Sequence, residues 1–173
     1  MKKLLEYSDL IKCADSVSAQ LKTDYPEAYQ AKRIFLFAVA RGGLTFGHLV
    51  SQRMNLPLGV VYPLIENVQS LHPTYTPDID DAVFVYLEDV IAEGRTFNQI
   101  MNWHKRVYSD YVKAEFIPVV VDSKVAPSIR KQVNISGTVT DDWIVFPYED
   151  PARMTEGDRG LFRDGSSQAS KEL

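Results

Sequence analysis

Cysteine is nearly absent from this chain: Cys13 stands alone among 173 residues, so no internal disulfide can form, and no Cys/His spacing suited to zinc occurs. Excess positive charge is missing too. With 19 Lys and Arg against 23 Asp and Glu, a net charge of -4 and a pI near 5.4, the chain has none of the basic surplus of a nucleic-acid surface. No apolar run is long enough to span a bilayer, and Glu6, Ser8 and Asp9 interrupt the lysine-led N-terminus before a signal-peptide core develops. No internal repeat or second domain is evident. The 45% hydrophobic and 24% charged fractions are those of an ordinary globular protein, long enough for one sizeable core. These features predict a cytoplasmic protein with neither nucleic-acid nor membrane partners, in which Cys13 is a small buried apolar residue of the first helix.

The chemistry concentrates in residues 81–96. Residues 83–87 are continuously apolar, as in a strand buried on both faces, and Glu88 and Asp89 follow where that strand is expected to leave the sheet. Two carboxylates there are not expected in the core, because burying either without a partner costs several kcal/mol. A polar turn, Glu93-Gly94-Arg95-Thr96, precedes a helix-compatible run over 97–108. Parallel α/β sheets place ligands at the carboxyl ends of strands, and a helix N-terminus offers N–H groups and a favourable dipole to an anion. An acidic pair suits vicinal hydroxyls. Diol at one end and phosphate at the other describes a ribose 5-phosphate.

Elsewhere, residues 8–23 carry Leu10, Ile11, Ala14, Val17 and Leu21 at helical spacing, with Ser8 as N-cap and Pro26 beyond the end. Residues 34–40 form a second apolar strand, ending in Arg41-Gly42-Gly43 before a helix over 44–54. The paired glycines allow close backbone approach to a ligand, and Arg41 adds charge. A short strand over 58–62 leads into residues 63–80, which hold three prolines and read as a long functional or mobile connection. Residues 115–121 are the next strand, where Pro118 implies an edge or an irregularity, and Asp122, Ser123 and Lys124 end it. The segment Trp-Ile-Val-Phe-Pro-Tyr-Glu over 143–149 is a further apolar stretch, and the small, polar residues 164–173 read as a disordered tail.

The stretch 83–96 resembles the signature of the type I phosphoribosyltransferases, a hydrophobic strand and two acidic residues followed by a phosphate turn. Arg41-Gly42-Gly43 is similar to the pyrophosphate loop of the purine enzymes of that family, and residues 143–149 to the Trp-Ile-Val-Phe-Pro-Trp-Glu segment of guanine/xanthine-type members. The resemblance implies an α/β fold with a mostly parallel twisted sheet flanked by helices, in one domain over 1–163. Its core covers about 30–125, a small hood comes from the N-terminal segment and about 126–150, and a flexible active-site loop covers 63–80, where the family's usual Ser-Tyr pair is not evident although Ser70 and Tyr75 are available. It implies transfer of a phosphoribosyl group from 5-phosphoribosyl 1-diphosphate (PRPP), with Mg2+, to a purine base, a 6-oxopurine being favoured, or else to another base; a non-catalytic PRPP- or nucleotide-binding regulator is the alternative. Ala40, Arg41, Gly42, Gly43, Glu88, Asp89, Ala92, Glu93, Gly94, Arg95 and Thr96 would hold PRPP, with a cis peptide entering Arg41. Lys124, Trp143 and Ile144 would bind the base, and Glu88, Asp89 and Glu149 would lie by the metal. The family's dimers imply a homodimer, to which exposed Tyr25 and Tyr29 could contribute.

Two positions depart from the pattern. Hypoxanthine/guanine-type members carry an aspartate three residues after the acidic pair, against N7 of the purine, and this chain has Ala92, as adenine- and uracil-specific relatives do. Glu93 stands where a threonine or serine normally serves the 5-phosphate, and a carboxylate beside a dianion is repulsive. The expectation is that Glu93 turns toward the base and takes over the missing carboxylate's role. Glu93, Asp89 and Arg41 are thus the candidate catalytic residues.

Overall fold

The structure, a computed structural model, describes residues 2–63, 68–71, 81–108 and 112–149. In chain order the elements are β1 (Lys2–Leu4), α1 (Tyr7–Asp24), α2 (Pro26–Gln30), β2 (Ile34–Val39), α3 (Gly43–Met54), β3 (Leu58–Pro63), β4 (Val68–Leu71), β5 (Val83–Ile91), α4 (Arg95–Tyr108), β6 (Lys113–Asp122), α5 (Pro127–Arg130), β7 (Thr138–Thr140) and β8 (Trp143–Val145). Six strands form one sheet in the order β4-β3-β2-β5-β6-β7, and β1 pairs with β8 in a separate two-stranded sheet. Only β4 runs antiparallel in the larger sheet. The fold is α/β as the apolar runs predicted.

The two continuously apolar runs are the central strands because both of their faces are covered. Ile34 and Leu36 of β2 and Val83, Val85 and Leu87 of β5 pack with Leu10, Ala14 and Leu21 of α1 and Phe46 and Val50 of α3. Phe37 and Val39 of β2 and Phe84 and Tyr86 of β5 pack on the other face against Phe97, Ile100 and Trp103 of α4. Alternate residues therefore go to opposite cores, and no position in either run is left for a polar side chain. The second core holds one polar pair: Tyr86 donates to His104 Nδ1 at 2.7 Å, and His104 Nε2 donates to the Val112 carbonyl at 3.1 Å. Among the described residues, no helix is long and apolar enough to cross a membrane.

Several local expectations are corrected. Helix α1 starts at Tyr7 with Glu6 as N-cap, its N–H accepted by Asp9 Oδ2 at 3.2 Å, so Ser8 lies inside the first turn. Cys13 is half-buried at the margin of the core. Tyr25 and Tyr29 are half-buried against the α1/α3 core rather than exposed; Tyr25 donates to Glu115 and lies under the Lys113 ammonium, 4.4 Å from its ring centre. The span 63–80 is not wholly without regular structure, since β4 pairs with β3 and puts Ser70 opposite Val61; residues 64–67 and 72–80, including Tyr75, lie outside the described residues, as do residues 150–173, which include the expected tail over 164–173. Pro118 sits in the penultimate strand, but β7 joins β6 only from Val120. Its carbonyl accepts the Ser136 N–H at 3.0 Å on the outer side, so the missing proline N–H also faces away from β5 and costs no bond of that ladder.

Candidate active site

Parallel pairing of β2 with β5 brings the two glycine-bearing turns together. The register sets Ala38 opposite Leu87, so the chain leaving β2 at Ala40 runs beside Glu88 and Asp89. The Ala40–Arg41 peptide is cis, as the family resemblance implied, and Ala40 N–H is tied to the Val61 carbonyl at 2.9 Å. Gly42 caps α3 and Gly43 opens it. Both glycines are required by contact: a Cβ on Gly42 would overlap the Asp89 carboxylate, and one on Gly43 would overlap the Leu87 carbonyl oxygen. The backbone of the turn thus lies directly against the acidic pair. Arg41 is exposed beside it.

The acidic pair does not mark the end of its strand. β5 continues to Ile91, and Glu88 and Asp89 are buried within it, 6% and 8% exposed. The ladder with β6 pairs Glu88 with Pro118 and Val90 with Val120 but omits Asp89. Sidedness changes across this gap: Leu87 faces the α1/α3 core, whereas Ile91, four residues on, faces the α4 core. Burial is compatible with two carboxylates because their oxygens find donors. Glu88 Oε1 accepts the Asp89 N–H at 3.1 Å, and Asp89 Oδ1 accepts the Val90 N–H at 2.7 Å. Burial first, and the adjacent Asp89 second, hold the Glu88 carboxyl well above the ordinary range.

The second oxygen of Asp89 is taken by a residue that the sequence reading passed over. Tyr148 donates to Asp89 Oδ2 at 2.7 Å, with its hydroxyl also 3.2 Å from the Gly42 carbonyl. Its ring stacks on Phe146 at 5.4 Å and 16°, and burial of the hydroxyl end, followed by the Asp89 charge, pushes its pKa far up. Glu149 closes the same turn, its Oε2 accepting the Phe146 N–H at 2.7 Å. Burial raises the Glu149 pKa, the Phe146 N–H lowers it partway, and Asp89 raises it again. The one sequence signal for Tyr148 was its place in the 143–149 segment, where the resembled motif has tryptophan.

At the next turn, Gly94 has φ of 84° and α4 begins at Arg95. Gly94 is doubly constrained, because a Cβ there would also overlap Ile129 Cδ1 of α5. Glu93 is exposed and faces Arg95 within its own turn, its Oε2 accepting from Nε at 2.9 Å and from Nη2 at 2.6 Å. The expected rotation of Glu93 toward a base is therefore not what the structure records; the guanidinium two residues on holds the carboxylate. Ala92 and Thr96 are half-buried on either side.

Lys124 is exposed just beyond β6, its N–H accepted by Asp122 Oδ1 at 2.9 Å, at the same carboxyl end of the parallel strands as the two turns. Trp143 is half-buried opposite Lys2, whereas the Ile144 side chain belongs to the α1/α3 core. Among the described residues, no three His, Cys, Asp or Glu side chains converge on a metal-sized site, so Glu88, Asp89 and Glu149 do not form a preassembled carboxylate cage. Asp89 and Glu149 supply the hard oxygen donors that a magnesium ion accepts, and such an ion takes most of its ligands from water and substrate phosphates.

Comparison with known proteins agrees with this fold. Residues 5–149 match the family described as Phosphoribosyl transferase domain. No curated protein sequence matches the chain. Among solved structures it is similar to the purine phosphoribosyltransferase of Pyrococcus horikoshii Ot3, with TM-score 0.61, 19% identity and 86% and 94% of the two chains covered. It is similar to the Helicobacter pylori xanthine-guanine-hypoxanthine phosphoribosyltransferase, with TM-score 0.62, 14% identity and coverage of 95% and 100%. A hypothetical protein from Neisseria gonorrhoeae with bound ppGpp is similar at TM-score 0.65 and 13% identity, with 87% and 90% covered. At these identities the structures speak for the fold alone, but the family match spans most of the sequence and contains both turns and the acidic pair: the chain belongs to the phosphoribosyl transferase domain family.

Proposed function

We propose that this protein transfers the phosphoribosyl group of PRPP to a purine base, a 6-oxopurine being favoured, and releases the nucleoside 5'-monophosphate and pyrophosphate. The observation that carries the reading is the packing of the Arg41-Gly42-Gly43 turn against Asp89, with a helix-opening anion turn at 92–96 on the same strand. In this reading Arg41 and the N–H groups that open α3 take the diphosphate, Asp89 accepts from a ribose hydroxyl, and Gly94 to Thr96 hold the 5-phosphate. A base nitrogen forms its bond to C1 as the C1–O bond to diphosphate breaks, and the electron pair leaves with diphosphate. Magnesium, when bound, offsets the charge that develops on that leaving group. The base must also lose a proton. A 5-phosphate that claims Arg95 releases Glu93 from its ion pair, and the freed carboxylate is our candidate acceptor. Lys124 and Trp143 are the candidate base contacts, and a cytoplasmic homodimer is the expected setting.

The test is pyrophosphate release from PRPP and Mg2+ with guanine, xanthine, hypoxanthine, adenine and uracil offered singly. Turnover with a 6-oxopurine is expected. Turnover with adenine or uracil alone would move the assignment to another base. A second reading, a nucleotide-binding regulator of the same fold, is favoured by Ala92 and by the Glu93–Arg95 pair inside the phosphate turn; the Neisseria gonorrhoeae neighbour with bound ppGpp is in keeping with it. Nucleotide or PRPP binding without release for any of the five bases would select it.

A further inference from the structure

We propose that Tyr148 sets the affinity of this site for a sugar diol: its hydroxyl occupies the Asp89 oxygen that a ribose hydroxyl must reach, and the sugar binds by displacing it. The inference rests on the phosphoribosyl reading above. Asp89 is enclosed on three sides. Its Oδ1 accepts the Val90 N–H at 2.7 Å, its Oδ2 accepts the Tyr148 hydroxyl at 2.7 Å, and the Gly42 backbone is so near that a Cβ there would overlap the carboxylate. The residue is 8% exposed. Each oxygen keeps a further lone pair, but at this exposure it has almost no open approach, so a ribose hydroxyl reaches the carboxylate by displacing a neighbour.

Two of the three neighbours are main chain, within β5 and at the start of α3, and neither moves without disturbing the sheet or the helix packed on it. Tyr148 is the third and is 39% exposed. It lies beyond the last residue of β8, on a turn whose backbone, among the described residues, is closed by its own bonds: Glu149 N–H donates to the Phe146 carbonyl at 3.0 Å, and Phe146 N–H donates to Glu149 Oε2. Tyr148 can swing away without breaking a ladder. Its hydroxyl is also the chemical equivalent of what replaces it, an O–H donor to the same acceptor. Glu88 offers the sugar no easier route, because it is more deeply buried and its Oε1 is engaged by the Asp89 N–H.

The experiment is calorimetric titration of the whole protein and of Tyr148→Phe with three ligands: PRPP with Mg2+, ribose 5-phosphate, and inorganic pyrophosphate. Phenylalanine keeps the stack on Phe146 and removes only the competing hydroxyl. The two ribose ligands should bind the variant about tenfold more tightly, equivalent to about 1.4 kcal/mol, while pyrophosphate, which has no diol, should gain much less although the hydroxyl also reaches the Gly42 carbonyl. Tyr148→Leu, which carries no side-chain donor, should shift affinity in the same direction and serves if the phenylalanine variant folds poorly. Unchanged or weaker ribose binding in both variants, or an equal gain for pyrophosphate, would overturn the inference and leave the phosphoribosyl reading intact. A wild-type protein that binds none of the three ligands would remove that reading and this inference with it.

Discussion

Gly42 and Asp89 are in such close contact that any side chain at position 42 would occupy the space of the Asp89 carboxylate. The contact joins the turn at the end of β2 to a residue inside β5, and it makes the shape of the Arg41-Gly42-Gly43 turn depend on where the carboxylate lies. Gly42→Ala should therefore act on both. Its φ of -59° is open to any residue, so the cost is overpacking alone, about 1–3 kcal/mol of stability. Urea unfolding should show that loss, and PRPP binding should weaken at least tenfold. Wild-type binding would mean that Asp89 swings aside at little cost.

Gly94 combines two constraints that substitution can separate. Alanine there meets both a φ of 84° and the Ile129 side chain. We expect Gly94→Ala to cost about 2–4 kcal/mol, from a strained backbone plus a clash. Adding Ile129→Ala should recover only the clash, and a double-mutant cycle by urea unfolding separates the two parts. Full recovery would show that the backbone accepts alanine.

Glu88 makes stability fall as pH rises. Its folded-state pKa lies above its ordinary value near 4.5, because burial and Asp89 disfavour the charge. The native protein then holds a proton that the unfolded chain has lost, so the stability Glu88 contributes is present below about pH 4.5 and is lost as pH climbs toward the raised value. Glu88→Gln should gain on the wild type in urea midpoints as pH rises above 4.5. A constant offset would contradict this.

His104 acts in the opposite sense. Burial lowers its pKa, so its contribution is present above the ordinary value of 6.5 and fades as pH falls below it. Tyr86→Phe should cost about 1–3 kcal/mol, because it leaves the buried Nδ1 without its donor. Unfolding at pH 7.5 and 5.5 measures both effects. A Tyr86→Phe protein as stable as the wild type would show that Nδ1 finds another donor.

The Glu93–Arg95 pair is exposed, so it should matter more to ligands than to stability. Glu93→Thr should move the unfolding free energy by no more than about 0.5 kcal/mol. It should also raise affinity for ribose 5-phosphate by roughly threefold or more at low salt, since the Glu93 carboxylate no longer competes with the phosphate for Arg95. Weaker binding in the variant would instead make Glu93 a partner of the ligand.

The sequence by itself determined which strands are central and which turns the candidate site is built from. Residues 34–39 and 83–87 are apolar at every position, and only strands covered on both faces tolerate that. Glycines at 42, 43 and 94 and carboxylates at 88 and 89 are local signals, readable because backbone sterics and the cost of burying charge act within a few residues. The tertiary structure alone decided how those pieces meet. The second donor to the buried Asp89 comes from Tyr148, and the gap in the β5–β6 ladder depends on pairing between strands. Tyr148 is the clearest case: it is 59 residues from Asp89, and no spacing or periodicity links the two. Their contact follows from β8 pairing with β1 beside the larger sheet, an association set by long-range packing, which leaves no local pattern in the chain.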